Sequence, residues 1–148
     1  MGLFQAFDIA ASGMTAQRFR MDTIAENLAN VNTTRTEEGE PYRRKIVLFE
    51  EKQLNPVFSR TLEDYMNSYH GNGVKVSRIY EDTETDFTMV YDPSHPDADE
   101  NGYVRYPNVD SITEMTNLID SSRAYQANVT AFGALKAMAG FGIQIGGS

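Results

Sequence analysis

The sequence predicts an α+β fold in which long N- and C-terminal α-helices pair as a coiled-coil-like bundle, with a small, mostly antiparallel β domain between them. Three observations predict it. Apolar residues recur at spacings of three and four at both ends, β-branched and aromatic runs separated by turn residues fill the middle, and charge is segregated along the chain. Of the net charge of −8, residues 1–36 contribute nothing, residues 108–148 contribute −1, and residues 37–107 carry the rest. Three segments follow: an N-terminal helix with an Asn-rich end (1–36), a central acidic β-rich domain (37–107), and a C-terminal helix with a glycine-rich tail (108–148).

In the first segment Leu3, Phe7, Ala10, Met14, Met21, Ile24, Leu28 and Val31 form one seam that only Gln17 interrupts. A helix over about residues 3–30 is roughly 40 Å long at 1.5 Å per residue, more than a small globular core can cover. Gly13 within it costs about 1 kcal/mol relative to alanine, so the helix needs a packing partner. In the last segment Ser111 and Glu114 fit a capping box, and Met115, Leu118, Ser122, Tyr125, Val129, Phe132 and Ala139 repeat the same spacing. This helix is predicted to end near Ala139, because Gly140, Gly142, Gly146 and Gly147 favour fraying beyond it.

Strands are predicted over 44–50, 73–80, 87–91 and 103–106, with turns at Gly71-Asn72-Gly73, Asp92-Pro93, His95-Pro96 and Asn101-Gly102. Residues 52–72 show no clean period and read as a mobile loop.

Composition excludes several functions. An acidic chain is poorly suited to hold phosphate backbones or anionic lipids, so no nucleic acid is expected as a partner. Without cysteine there is no disulfide, thiol catalysis or thiolate metal site. The N-terminus lacks a basic region ahead of its apolar residues, and Ala6 stands where a myristoylation signal has Ser or Thr.

Asp97, Asp99, Asn101 and Gly102 imitate the start of an EF-hand loop, but Asn108 occupies the position of its bidentate glutamate, and a side-chain-held turn is the better reading. His70 and His95 are far apart in sequence and beside no evident nucleophile, and Glu50-Glu51 and Glu63-Asp64 read as solvated acids. Neither catalytic residues nor a cofactor, metal or small-molecule substrate are expected.

The end of the first helix, Glu26-Asn27-Leu28-Ala29-Asn30-Val31-Asn32-Thr33-Thr34, is the most distinctive feature. Asn27 and Asn30 share a helical face, and asparagine is a poor interior helix former whose amide both donates and accepts. Such amides fix register and partner at helix interfaces, or else simply cap the helix.

This stretch resembles the Asn-rich motif of the bacterial flagellar rod and hook axial proteins, and Arg123-Ala124-Tyr125-Gln126-Ala127-Asn128 resembles the signature in their C-terminal helix. Residues 41–51, 71–82 and 90–110 are similar in order and spacing to the proximal-rod members, so the resemblance spans nearly the whole chain. It departs at Glu26, where the family usually has alanine, and in the glycine-rich end.

The resemblance implies a structural, non-enzymatic subunit of the basal-body rod. It polymerises with itself and other rod proteins into a hollow drive shaft that carries motor torque, between the MS-ring junction and the distal rod. It also implies export by the flagellar type III apparatus without signal cleavage, to a location outside the cytoplasmic membrane. The residues expected to shape assembly are Asn27, Leu28, Asn30, Asn32 and Thr33. The helix interface is expected to use Phe7, Met14, Met21, Ile24 and Leu28 against Met115, Leu118, Arg123, Tyr125, Gln126, Asn128, Val129 and Phe132. Alternatives are a sibling rod or hook subunit, a calcium-binding module, or a soluble helical adaptor that folds completely alone.

Overall fold

The computed structural model describes residues 2–52 and 71–146. The predicted loop lies mostly outside them, as do His70 and Glu63-Asp64. Helix α1 spans Leu3–Ala29 and helix α2 spans Ser111–Gly146. Between them lie β1 (Lys45–Glu51), β2 (Val74–Glu81), β3 (Thr88–Tyr91) and β4 (Tyr103–Tyr106).

The strands form two separate two-stranded sheets, β1-β2 and β3-β4. Hydrogen bonds from Lys52 N to Gly73 O and from Asp82 N to Arg44 O bracket the first as an antiparallel ladder. In the second, Met89 faces Arg105 and Tyr91 faces Tyr103, whose rings meet edge to face at 5.3 Å.

The helix α2 outruns the sequence expectation, continuing past Ala139 to Gly146. Its glycines have not acted as stops because none takes the left-handed conformation that ends a helix; positive φ angles occur at Gly39, Gly73 and Gly102.

Its start also differs. Asp110, not Ser111, is the cap: its carboxylate accepts from Ile112 N at 3.2 Å and Thr113 N at 3.3 Å. The Thr113 hydroxyl, followed by these amides, holds the Asp110 carboxyl below its ordinary range. Glu114 is thereby released from the expected capping box, and it turns inward.

The chain divides into two compact units, one of residues 1–19, 48–77 and 121–148, the other of 20–47 and 78–120. In the first, the Phe7 and Phe132 rings pack edge to face at 4.9 Å. A Cβ on Gly13 would stand 2.8 Å from Asn128 Oδ1, so glycine there admits the Asn128 side chain. These two contacts place α1 and α2 antiparallel within that unit.

Ser12 fastens the chain entering β2: its hydroxyl donates to Ile9 O and accepts from Val74 N. Gln5 adds a bond to Gly71 O. Gly73, at φ 89°, has room only for a hydrogen beside Ser12. The Gly71-Asn72-Gly73 segment is thus an anchor on α1.

The buried apolar set is small, comprising Ala10, Ala16, Ile24, Tyr42 and Val104 among the described residues. Much of the remaining interior is polar, with Thr23, Asn27, Asn108, Glu114 and Ser121 buried.

Candidate functional site

Asn27 is 1% exposed and uses all four hydrogen-bonding capacities of its amide. Nδ2 donates to Lys45 O at 2.9 Å and Glu114 Oε2 at 3.0 Å. Oδ1 accepts from Lys45 N and from the Tyr42 hydroxyl, each at 2.9 Å. One side chain at the end of α1 therefore grips the start of β1, the segment before it, and the first turn of α2.

Glu114 completes the cluster. Oε1 receives Arg44 Nε at 2.8 Å and Nη2 at 2.6 Å, while Oε2 serves Asn27. A buried carboxylate is costly unless paired and hydrogen-bonded, and here both oxygens are occupied. Its place in the first turn of α2 adds a favourable helix-dipole interaction. Burial, reinforced by the carboxylates of Glu26, Glu81 and Glu114, pushes the Tyr42 phenol well above its ordinary range, so it remains a donor.

Asn108 supports the same unit. Oδ1 accepts from Arg44 N at 2.9 Å, and Nδ2 donates to Asp82 O at 2.9 Å and Thr85 O at 3.3 Å. The backbone of Arg44 is thus held by one buried asparagine, and its side chain by Glu114.

The two asparagines paired by sequence part company. Asn30 is a local cap: its Nδ2 donates to Glu26 O at 2.9 Å and its Oδ1 accepts from Thr33 Oγ1 at 3.1 Å. Thr33 O accepts from Tyr42 N, which closes the loop after α1, while Asn32 is exposed. Leu28, Met14, Met21 and Phe7 are partly buried on α1, and Ile24 is fully so.

On α2 the covered positions run through Glu114, Leu118, Ser121, Tyr125, Asn128, Phe132 and Leu135. Met115, Arg123, Gln126 and Val129 lie outside that stripe and are exposed. Asn128 itself donates back to Ala124 O at 2.9 Å.

Tyr42, Arg44, Asn108 and Glu114 are the participants that sequence reasoning missed. In the sequence Asn108 stands out only as the residue that breaks the EF-hand pattern, and Glu114 only as half of a capping box. The signal available was that each polar residue stands next to an apolar or strand-like run where solvated side chains are not needed.

The EF-hand-like stretch is a turn: Asp99 Oδ1 accepts from Asn101 N and Tyr103 N at 2.9 Å each. Asp97 accepts from Thr34 Oγ1 at 2.8 Å and lies 3.7 Å from Arg35. His95 Nδ1 accepts from Asp97 N at 3.1 Å. Glu50, paired with Lys75 at 3.3 Å, is held below the usual carboxylate range chiefly by that hydrogen bond.

Paired terminal helices joined through buried amide and carboxylate groups, with apolar side chains left outward, have the build of a structural subunit. The family model described as "Flagella basal body rod protein" matches residues 7–35, and "Flagellar basal body rod FlgEFG protein C-terminal" matches residues 100–145. The chain is 48% identical over 152 aligned residues to the flagellar basal-body rod protein FlgC of Bacillus subtilis, covering 99% of each. It is 43% identical to that of Borreliella burgdorferi over 143 residues, covering 93% of each, and 42% identical to that of Aquifex aeolicus over 136 residues, covering 92% and 91%. The chain belongs to the FlgC family of flagellar basal-body rod proteins, and it is a structural subunit of that rod. Among the described residues, no helix is long and apolar enough to cross a membrane.

Proposed function

We propose that this subunit polymerises through α1 and α2 into a hollow helical shaft that transmits motor torque, with its β regions outward, and that its work is mechanical and not enzymatic. The observation that carries the reading is unburied apolar surface on the helices: Phe4 is 83%, Ile112 73% and Ile145 78% exposed, beside a small set of buried apolar side chains. Neighbouring subunits supply the missing cover, packed head to tail so that the assembly extends and does not close.

In this reading residues 1–36 and 108–148 are the axial segments and 37–107 the outer domain. Asn27, Leu28, Asn30, Asn32 and Thr33 shape the end of α1. The inner seam and the outward residues Met115, Arg123, Gln126 and Val129 divide the contacts between the subunit's own helices and its neighbours. Partners are further copies, other rod proteins, the MS-ring junction and the distal rod. The subunit reaches its place outside the cytoplasmic membrane through the flagellar type III apparatus, without cleavage.

Sedimentation of the purified full chain over a concentration series tests the polymer. Concentration-dependent self-association weakened by Ile112→Glu and Val129→Glu, with unchanged far-UV circular dichroism, is expected. A chain that stays monomeric at every concentration would overturn it.

A further inference from the structure

A cavity of about 60 Å³ opens beside the Asn27–Glu114 cluster, lined in part by Arg20, Thr23, Arg44, Lys45, Glu114 and Asn117. Three of these are cations, and two are already neutralised. Arg44 lies 2.6 Å from Glu114 Oε1, and Lys45 pairs with Glu26. Arg20 is different: it is partly buried, and among the described residues no hydrogen bond or ion pair reaches its guanidinium. Removing a cation partly from water without a counter-charge is unfavourable, whereas a carboxylate on a guanidinium forms short, charge-assisted bonds of fixed geometry.

We infer that this cavity is a carboxylate-binding site whose occupant is an Asp or Glu side chain of a second copy of the chain. The inference rests on the polymer reading above. Charge selects the source. A chain of net charge −8 repels small anions from solution, but a carboxylate tethered on a docked copy arrives at an effective concentration in the millimolar range or above. The same excess of twenty-one acids over thirteen bases means that any docked copy presents carboxylates in abundance. Arg20 then acts as a specificity element: the apolar faces supply adhesion, and the guanidinium selects the docking position that brings a carboxylate into reach.

The test uses R20Q and R20K in the full chain. R20Q is expected to leave the urea unfolding curve unchanged while weakening self-association at least tenfold, with R20K in between. R20K also places an amine in the cavity. Treating a mixture of ordinary and ¹⁵N-labelled R20K chains with a water-soluble carbodiimide should then yield an amide cross-link joining the two isotopic forms, and mass spectrometry locates its carboxylate.

A cross-link confined to one copy overturns the inference, as does self-association of R20Q equal to wild type. Stabilisation of the wild-type monomer, but not of R20Q, by millimolar acetate or phosphate would show a solution-anion site instead, and overturns the assigned source. A wild type that never self-associates refutes the polymer reading, which distinguishes that failure from a failure at Arg20 alone.

Discussion

Replacing Asn27 with alanine should be among the most damaging single changes in the chain. It removes a side chain that is 1% exposed and orphans four groups at once. Two of these bonds, to the Tyr42 hydroxyl and to Glu114 Oε2, are fully buried, and an unsatisfied buried polar group costs about 1–3 kcal/mol. The Lys45 amide and carbonyl are partly buried, where water can replace the lost partner at smaller cost.

The sum is about 4 kcal/mol, a large share of the roughly 5–15 kcal/mol that holds a domain folded. With a urea dependence of about 2 kcal/mol per molar, the unfolding midpoint falls by about 2 M. Far-UV circular dichroism and tyrosine emission can follow it, since the chain has no tryptophan. Asn30→Ala is the internal control, because its bonds to Glu26 O and from the Thr33 hydroxyl are both local and at most partly buried, so a shift of about 0.5 M or less is expected. A midpoint shift for Asn27→Ala no larger than that of the control would refute the argument that the buried amide organises this end of the molecule.

Gly13→Ala alone should change stability little, because a helix-propensity gain of about 1 kcal/mol is offset by displacing Asn128; in an Asn128→Ala background the same change should stabilise by about 1 kcal/mol, as urea unfolding of the four chains of the cycle will show. Gly73→Ala should destabilise by about 2 kcal/mol or more, since the backbone is left-handed and the new Cβ would meet the Ser12 hydroxyl; proteolysis near β2 should accelerate with it. The Asp110 cap should respond to acid. Its folded-state pKa is lowered, so its contribution is complete above the unfolded value near about 4 and disappears as pH falls through the lower folded value; amide exchange at Ile112 and Thr113, referenced to mid-helix amides, should quicken in that window.

Both helices, the four strands and the family were legible in the sequence, because each rests on short-range periodicity or on contiguous motifs. The site was legible only in part. Asn27 stood out as an amide with no local purpose, but its partners Tyr42, Arg44 and Glu114 come from elsewhere in the chain, and no spacing rule connects them. Glu114 was misread because Ser-x-x-Glu is a good local cap, and an equally good one at Asp110 won.

The stripe of α2 that is covered within the subunit was not legible for a related reason. Periodicity treats apolar side chains as the inward face, whereas here Glu114, Ser121 and Asn128 point the inward stripe and Met115 and Val129 fall outside it. The long glycine-bearing end of α2 was missed because composition alone does not say whether a glycine takes a helical or a left-handed φ.

Within one unit Gly13 makes room for Asn128, and within the other Asn27 bonds Glu114. Two greasy helices can slide along one another a heptad at a time with little change in apolar contact. These resist it: a slip would take the amide of Asn27 away from Glu114, and would press another side chain into the notch at Gly13. The pairs act like the teeth of a ratchet gauge, giving every copy the same helix offset. In the polymer proposed above, a uniform offset in each subunit is what would keep many weak contacts in step.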